Sequence, residues 1–423
     1  MKEEFIHYLW KFQKFNTLDL KTTAGELISI VSVGQYLELS GPDFFNAQII
    51  IGNQKWAGNV EIHLKSSDWY AHHHENDPAY ENVILHVVWE HDVAIYRSDN
   101  SIIPVLELKQ YVAPEIVIKY NALRSLKSWL YCENQLAGLD QFLLRHWQER
   151  LFIERLEQKT KPISNWLTQT NSDWETVFFW LLAQNFGLNT NGEQFLTIVS
   201  SIPFSIIRKE TLNVANIEAL LFGNAGLLDS DKEDHYFNDL KCRYHYLLQK
   251  YQLVKPIVPP VQFYKHRPDN FPTIRLSQLA VLLQSHSNLF SKIIAANTVG
   301  KIYQLLDVEA SSYWLDHYQF DKVSSKKKKQ LSKPFIDLLI INAIVPIQFI
   351  YSQSQGKENS EELIQLVQDI SPEKNGVIEK FHFFGIAAAN AFESQSLLQL
   401  KKEYCNKSKC LSCAIGIDLI KNK

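Results

Sequence analysis

The sequence has little of what marks a secreted or membrane-embedded chain. Five cysteines in 423 residues do not make a disulfide framework. No uninterrupted apolar run reaches the ~18 residues of a spanning helix, so no segment is expected to cross a bilayer. The first residues carry Glu3 and Glu4 where a secretory signal needs basic ones, and no clean apolar stretch follows. The absence of G-x-x-x-x-G-K-[ST], G-x-G-x-x-G and G-x-S-x-G patterns leaves nucleotide-driven and serine-hydrolase chemistry without support. With only 15 Gly and 14 Pro against 46% hydrophobic residues, the composition is globular rather than disordered. The expectation is a cytoplasmic protein, too long for one core and so built of two or three domains.

What is present is unevenly charged. Residues 1–115 hold 8 Lys and Arg against 16 Asp and Glu, residues 116–239 hold 11 against 15, and residues 240–423 hold 24 against 15. An acidic front and a basic back suit a half that needs carboxylates joined to a half that meets polyanions, although solvated faces give the same counts.

The first 115 residues read as alternating short elements. Glu3 to Phe15 has helical spacing of Phe5, Leu9, Phe12 and Phe15. Leu27–Val33 is a β-branched run between Gly25 and Gly34. Asp43–Ile51 and Trp56–Lys65 flank Gly52-Asn53 and predict a hairpin. Asp77-Pro78 opens a short helix. Val83–Trp89 is apolar enough for a strand buried on both faces, and strands near Val93–Arg97 and Ile102–Leu108 follow. From about Leu123 the period becomes helical, with segments 135–158, 173–186, 236–252, 275–296, 335–351 and 377–403, punctuated at Pro162 and Gly187. The proline-rich stretch 254–272 is the expected boundary, giving domains 1–115, 116–254 and 255–423. The fold class is α+β, an α/β module with a mixed sheet followed by a large, mostly α-helical region.

The chemistry gathers in the module. Strand alternation puts Glu61, His63 and Lys65 on one face, with Val60, Ile62 and Leu64 on the other. The hairpin returns Glu61 toward Asp43. Two carboxylates meeting at one strand edge suit Mg2+ or Mn2+, which activates water and neutralises a phosphodiester in flight. Gly41-Pro42-Asp43 followed by Glu61-Ile62-His63, on this order of elements, resembles the PD-(D/E)xK nuclease superfamily over about residues 1–110. The resemblance implies a nuclease-like module in which Asp43 and Glu61 hold the metal and His63 stands in the place of the usual lysine. Lys65 falls two residues later on the same face. Over nearly the full length, Gly41–Phe44, Val60–His63, Asp68–His74, Leu85–Trp89, Glu218–Leu228 and the terminal cysteines resemble an uncharacterised bacterial domain-of-unknown-function family, which implies no activity.

Further candidates lie outside that pair. Asp68, His72, His74 and Asp77 form a candidate secondary site, with His72 and His74 either binding a transition metal or lying at the mouth of the Asp43 site. His86, amid apolar neighbours, reads as a core histidine. Cys405, Cys410 and Cys413, spaced C-x4-C-x2-C, suit Zn2+ or an iron–sulfur cluster, with His382, Cys132 or Cys242 open as a fourth ligand. Their setting resembles the cysteine tail of helix-hairpin-helix DNA glycosylases, with one cysteine fewer. Lys265 and Arg267, with the run Lys326, Lys327, Lys328 and Lys329, are candidate nucleic-acid contacts, Tyr264 and Phe271 offering rings for stacking. The expected function is a Mg2+- or Mn2+-dependent nuclease acting on DNA or RNA. Its alternative is a non-catalytic nucleic-acid-binding or scaffold protein that keeps the fold.

Overall fold

The computed structural model describes residues 1–36, 41–124, 129–264 and 266–421. Lys265, named above as a nucleic-acid contact, lies outside the described residues. The chain falls into two compact units, residues 1–147 with 383–386 and 400–423, and residues 148–382 with 387–399.

The first unit carries helix α1 (Glu3–Lys11) and strands β1 (Ile28–Ser32), β2 (Gln35–Tyr36), β3 (Phe44–Ile51), β4 (Gln54–Lys65), β5 (Val83–Glu90) and β6 (Val105–Glu107). They form one mixed sheet in the order β1-β3-β4-β5-β6, with β2 also on β3. The β3–β4 pair is the predicted hairpin, and Gly52 at its turn takes φ +60°, where a side chain would be strained. β4, β5 and β6 run parallel, so the chain must cross over between β4 and β5. That crossover holds a one-turn helix, α2 (Asp68–Ala71), and a 3-10 turn at Pro78–Tyr80 in place of the expected helix. The first helix stops at Lys11, short of the predicted Phe15, because the chain turns through a left-handed residue at Gln13 (φ +46°). The two strands expected after β5 reduce to a Tyr96–Ile102 bridge and β6.

One face of the sheet packs on α1, where Phe5, Leu9 and Trp10 join Phe44, Val60, Ile62 and Val87, all fully buried, in one core. Each such side chain contributes roughly 1.5–3 kcal/mol on burial. The other face differs from the solvated polar row that strand alternation also allows. Glu61, His63 and His86 are 4%, 1% and 0% exposed, and Trp69, Tyr80, Val88 and Val105 pack in a second cluster on the crossover side. Burying an acid and two imidazoles is costly unless something compensates them.

The second unit is helical. Its segments include Trp174–Phe186 and Leu188–Ser200, broken at Gly187 as predicted, then Val214–Asn224, His235–Tyr251 and Pro272–Ser285. Gly223 lets two of them touch, since a Cβ there would sit 2.3 Å from the Tyr244 ring. Pro162 does not punctuate the chain. It lies inside the helix Gln141–Gln169, whose length absorbs one missing N–H. The expected helices 275–296 and 377–403 each break in two, at 286–288 and 384–390. Residues 333–354 form a helix long and apolar enough to cross a membrane, although no uninterrupted apolar run marks it. Its window is 67% buried inside the protein, as a core helix of this unit would be. The proline-rich stretch 254–272 runs within the second unit, whereas the terminal cysteines belong to the first.

Candidate metal centre

Asp43 ends the segment entering β3, and Glu61 lies on β4 beside it. The two acids hold each other's backbone: the Asp43 N–H donates to Glu61 Oε2 at 3.1 Å, and the Ile62 N–H donates to Asp43 Oδ2 at 3.0 Å. This reciprocal pinning fixes both carboxylates without using all their lone pairs. Ion-pairing partners come from histidines. His7 Nε2 lies 3.1 Å from Asp43 Oδ2 and 3.8 Å from Glu3 Oε1, and His74 Nε2 lies 3.4 Å from Glu61 Oε1.

His63 is the hub of the second group. Its Nδ1 meets His86 Nε2 at 2.8 Å and its Nε2 meets His72 Nδ1 at 3.0 Å, while Glu61 Oε1 is 3.7 Å from that Nε2. Parallel pairing sets Glu61 level with His86 across β4 and β5. The crossover delivers the other two rings. His73 takes φ +61°, and around this left-handed residue the chain brings the His72 and His74 rings to His63, with His74 half-buried and His72 exposed like His73 itself. Tyr80 stacks on His74 at 3.8 Å and Trp69 meets it edge-on at 5.4 Å, which locks the ring.

Two constellations therefore form: His63, His72 and His74, and Glu3, His7 and Asp43, the ligand atoms in each within 4.8 Å of one another. Ligands of a tetrahedral ion bound at ~2.05 Å stand about 3.3 Å apart. The contacts of 3.0, 3.4 and 3.7 Å among His72, His63, His74 and Glu61 bracket that spacing. His7 Nε2, His74 Nε2 and His86 Nδ1 are buried and find no hydrogen-bond partner. Buried polar atoms left open, and aimed at carboxylates without hydrogen-bond alignment, suit a shared cation.

The electrostatics agree with the geometry. Burial, and then the neighbouring imidazoles, pushes His63 down to about 2, and burial brings His86 to about 3. Both rings are neutral, and His63, with its Nδ1–H toward His86, presents the Nε2 lone pair, the form that ligates metal. Burial lowers His74 as well. At His7 burial opposes the charge, yet the Asp43, Glu3 and Glu61 carboxylates raise the ring above its ordinary value. Burial and the Asp43 carboxylate push Glu61 up, and burial brings Glu3 to about 7. Carboxylates crowded this way take protons unless a cation supplies positive charge.

The structure brings together Asp43, Glu61, His63, His72 and His74. It leaves the other predicted residues elsewhere. Lys65 is exposed at the end of β4, its N–H donating to Asp68 Oδ2 at 3.0 Å. The Asp68 and Asp77 carboxylates accept backbone N–H groups of Lys65 and Ala79, and Asp77 also acts on the His74 ring, opposing the effect of its burial. His86 is the hydrogen-bonded core histidine expected, but its partner is His63. Glu3 and His7 were not singled out in the sequence. Their i, i+4 spacing on the polar side of α1 was the available signal.

The basic run fares differently. Lys329 is 3% exposed, with its ammonium donating to the Leu315 carbonyl at 3.0 Å, so it is unavailable to phosphate. Lys327 pairs with Asp269 at 2.6 Å and Lys328 with Glu309 at 3.5 Å, whereas Arg267 and Lys326 are exposed.

A family model described as "Protein of unknown function (DUF2851)" matches residues 3–376. No curated protein and no solved structure matches the chain.

Proposed function

We propose that this chain, which belongs to that family by a match over most of its length, is a metal-dependent phosphodiesterase of the nuclease type. The observation carrying this reading is the convergence of Asp43 and Glu61, from adjacent strands, with open imidazole nitrogens at ligand spacing. Glu61, His63, His72 and His74 hold one ion, and Glu3, His7 and Asp43 a second. The imidazoles move the preference from Mg2+ toward Mn2+ or Zn2+. His63 ligates through Nε2 and donates its Nδ1–H to His86, which fixes the ring and its tautomer. Ions held there would supply a water of lowered pKa and neutralise charge on the departing oxygen. The phosphodiester as substrate rests on the order of elements and on the likeness of Asp43, Glu61 and His63 to the nuclease pattern.

The test is hydrolysis of single-stranded, duplex and branched DNA and RNA with Mn2+, Zn2+ or Mg2+, by wild type and by Asp43→Asn. Cleavage by wild type that the variant loses supports the reading. No cleavage of any substrate with any of the three ions removes it. That outcome favours the second reading, a non-catalytic nucleic-acid-binding protein, which His63 at the usual lysine place also favours.

A further inference from the structure

The terminal cysteines find their fourth partner far back in the sequence. Cys132, Cys405, Cys410 and Cys413 line one small pocket in the first unit, with Tyr131 and Tyr404 among its walls. Four of the chain's five cysteines thus face a common space, and the fifth, Cys242, is exposed on the helix His235–Tyr251. His382, the other fourth ligand left open by the spacing, does not line the cavity.

The surrounding chain is organised to hold this arrangement. Lys401 donates to the Trp129 carbonyl at 2.8 Å and lies over the Trp129 ring, and Tyr131 Oη is 3.3 Å from Ser408 Oγ. These contacts join the two segments that carry the cysteines. Cys413 precedes the C-terminal helix Ala414–Lys421, and the Ile415 and Gly416 N–H groups reach its sulfur. Donors gathered on one sulfur stabilise a thiolate. Gly416 is required for this approach, because a Cβ there would fall 2.1 Å from the Cys410 carbonyl oxygen.

We propose that Cys132, Cys405, Cys410 and Cys413 bind a [4Fe–4S] cluster that fastens the C-terminal segment to the residue 129–132 strap. Spacing selects a cluster over a single zinc. Thiolates on one tetrahedral zinc at ~2.3 Å stand roughly 3.8 Å apart. Among the described residues no three of these sulfurs gather within 4.8 Å of one another, as the histidine nitrogens do. A polynuclear cluster spreads its four cysteine ligands more widely and fills the space between them. A preassembled cluster enters by ligand exchange. Four cysteine thiols pass their protons to four departing exogenous thiolates, four Fe–S(Cys) bonds replace four Fe–S bonds, and no electron is transferred.

The full chain, purified without oxygen or loaded from a thiolate-ligated [4Fe–4S] complex, is the material for the test. About four iron and four acid-labile sulfide per chain are expected, with a broad charge-transfer absorption in the visible. Cys132→Ser loses at least half of that iron and absorption, whereas Cys242→Ser keeps all of it. Should Cys132→Ser fail to fold, alkylation of the loaded wild type gives the answer, with Cys242 labelled and the other four thiols protected. Zinc in place of iron, or loaded protein without iron, overturns the proposal. So does full iron retention by folded Cys132→Ser, or labelling of all five thiols.

Discussion

Two sets of buried polar groups, one in each unit, are treated in opposite ways, although Glu218 Oε1 and Gln348 Oε1 of the second unit also stay open. In the second unit the Lys159 ammonium donates to the Ile341 carbonyl at 3.1 Å, Asn342 Oδ1 at 2.7 Å and Gln395 Oε1 at 3.3 Å. Glu210 likewise accepts from Lys250 at 2.7 Å and Asn216 at 2.6 Å, and from the Tyr251 hydroxyl. Those groups are closed. In the first unit His7 Nε2, His74 Nε2 and His86 Nδ1 stay open, two of them facing carboxylates. A buried polar group kept for stability ends its hydrogen bonds within the protein. One kept for a ligand leaves them aimed at a shared point.

This contrast can be broken by substitution. The largest effect is expected at Asp43→Asn, which keeps an acceptor for the Ile62 N–H but removes the charge. Hydrolysis should fall on the order of a thousandfold, about 4 kcal/mol of transition-state stabilisation, with the denaturation midpoint of the metal-free protein little changed. Equal losses of activity and of fold would place Asp43 among the closed groups. Lys159→Met in the second unit should behave oppositely. Two acceptors lose this donor while Gln395 Oε1 keeps Arg155, stability drops by about 1–3 kcal/mol, and metal affinity stays the same. Urea unfolding and calorimetric titration of one preparation read both quantities.

Smaller effects sharpen the comparison within the first unit. Glu3→Gln removes one ligand of the second ion position. The bound Mn2+ count should fall from about two toward one per chain, with a roughly tenfold loss of rate. An unchanged count would take Glu3 out of the site. The smallest effect is a pH dependence in metal-free protein. His63 and His86 have folded values near 2 and 3 against an ordinary 6.5, so their neutral forms stabilise the fold above 6.5 and that contribution fades as pH falls. Between about 4.5 and 6.5 the raised Glu3 and Glu61 bind protons in the folded state and offset this loss. Below 4.5 only the histidines remain, and each costs on the order of 1 kcal/mol per pH unit. Urea midpoints against pH should show a shallower acid slope for His86→Gln than for wild type.

Much of the first unit was legible because strand chemistry is local. Gly52-Asn53 marked the hairpin, the apolar run Val83–Trp89 marked a strand buried on both faces, and alternation set Glu61 and His63 together. The closure of that polar face was not legible. It depends on a left-handed His73 and on Trp69 and Tyr80 folding over the sheet, which no period encodes. Glu3 and His7 were hidden because the pattern of α1 is dominated by its apolar side. The partnership of Cys132 with Cys410 and Cys413 spans about two thirds of the chain, and spacing alone left three candidates. Lys329 misled for a simpler reason: a run of four lysines looks solvated, yet the fourth turns inward over the Tyr318 ring at 4.2 Å.

Anomalous diffraction from crystals equilibrated with Mn2+ tests the central claim most directly. The account predicts one peak within ~2.0–2.5 Å of Glu61 Oε1 and the His63 and His74 Nε2 atoms, and a second beside His7 and Asp43. Ordered Glu61, His63 and His74 side chains with no peak between them at saturating Mn2+ or Zn2+ would contradict it.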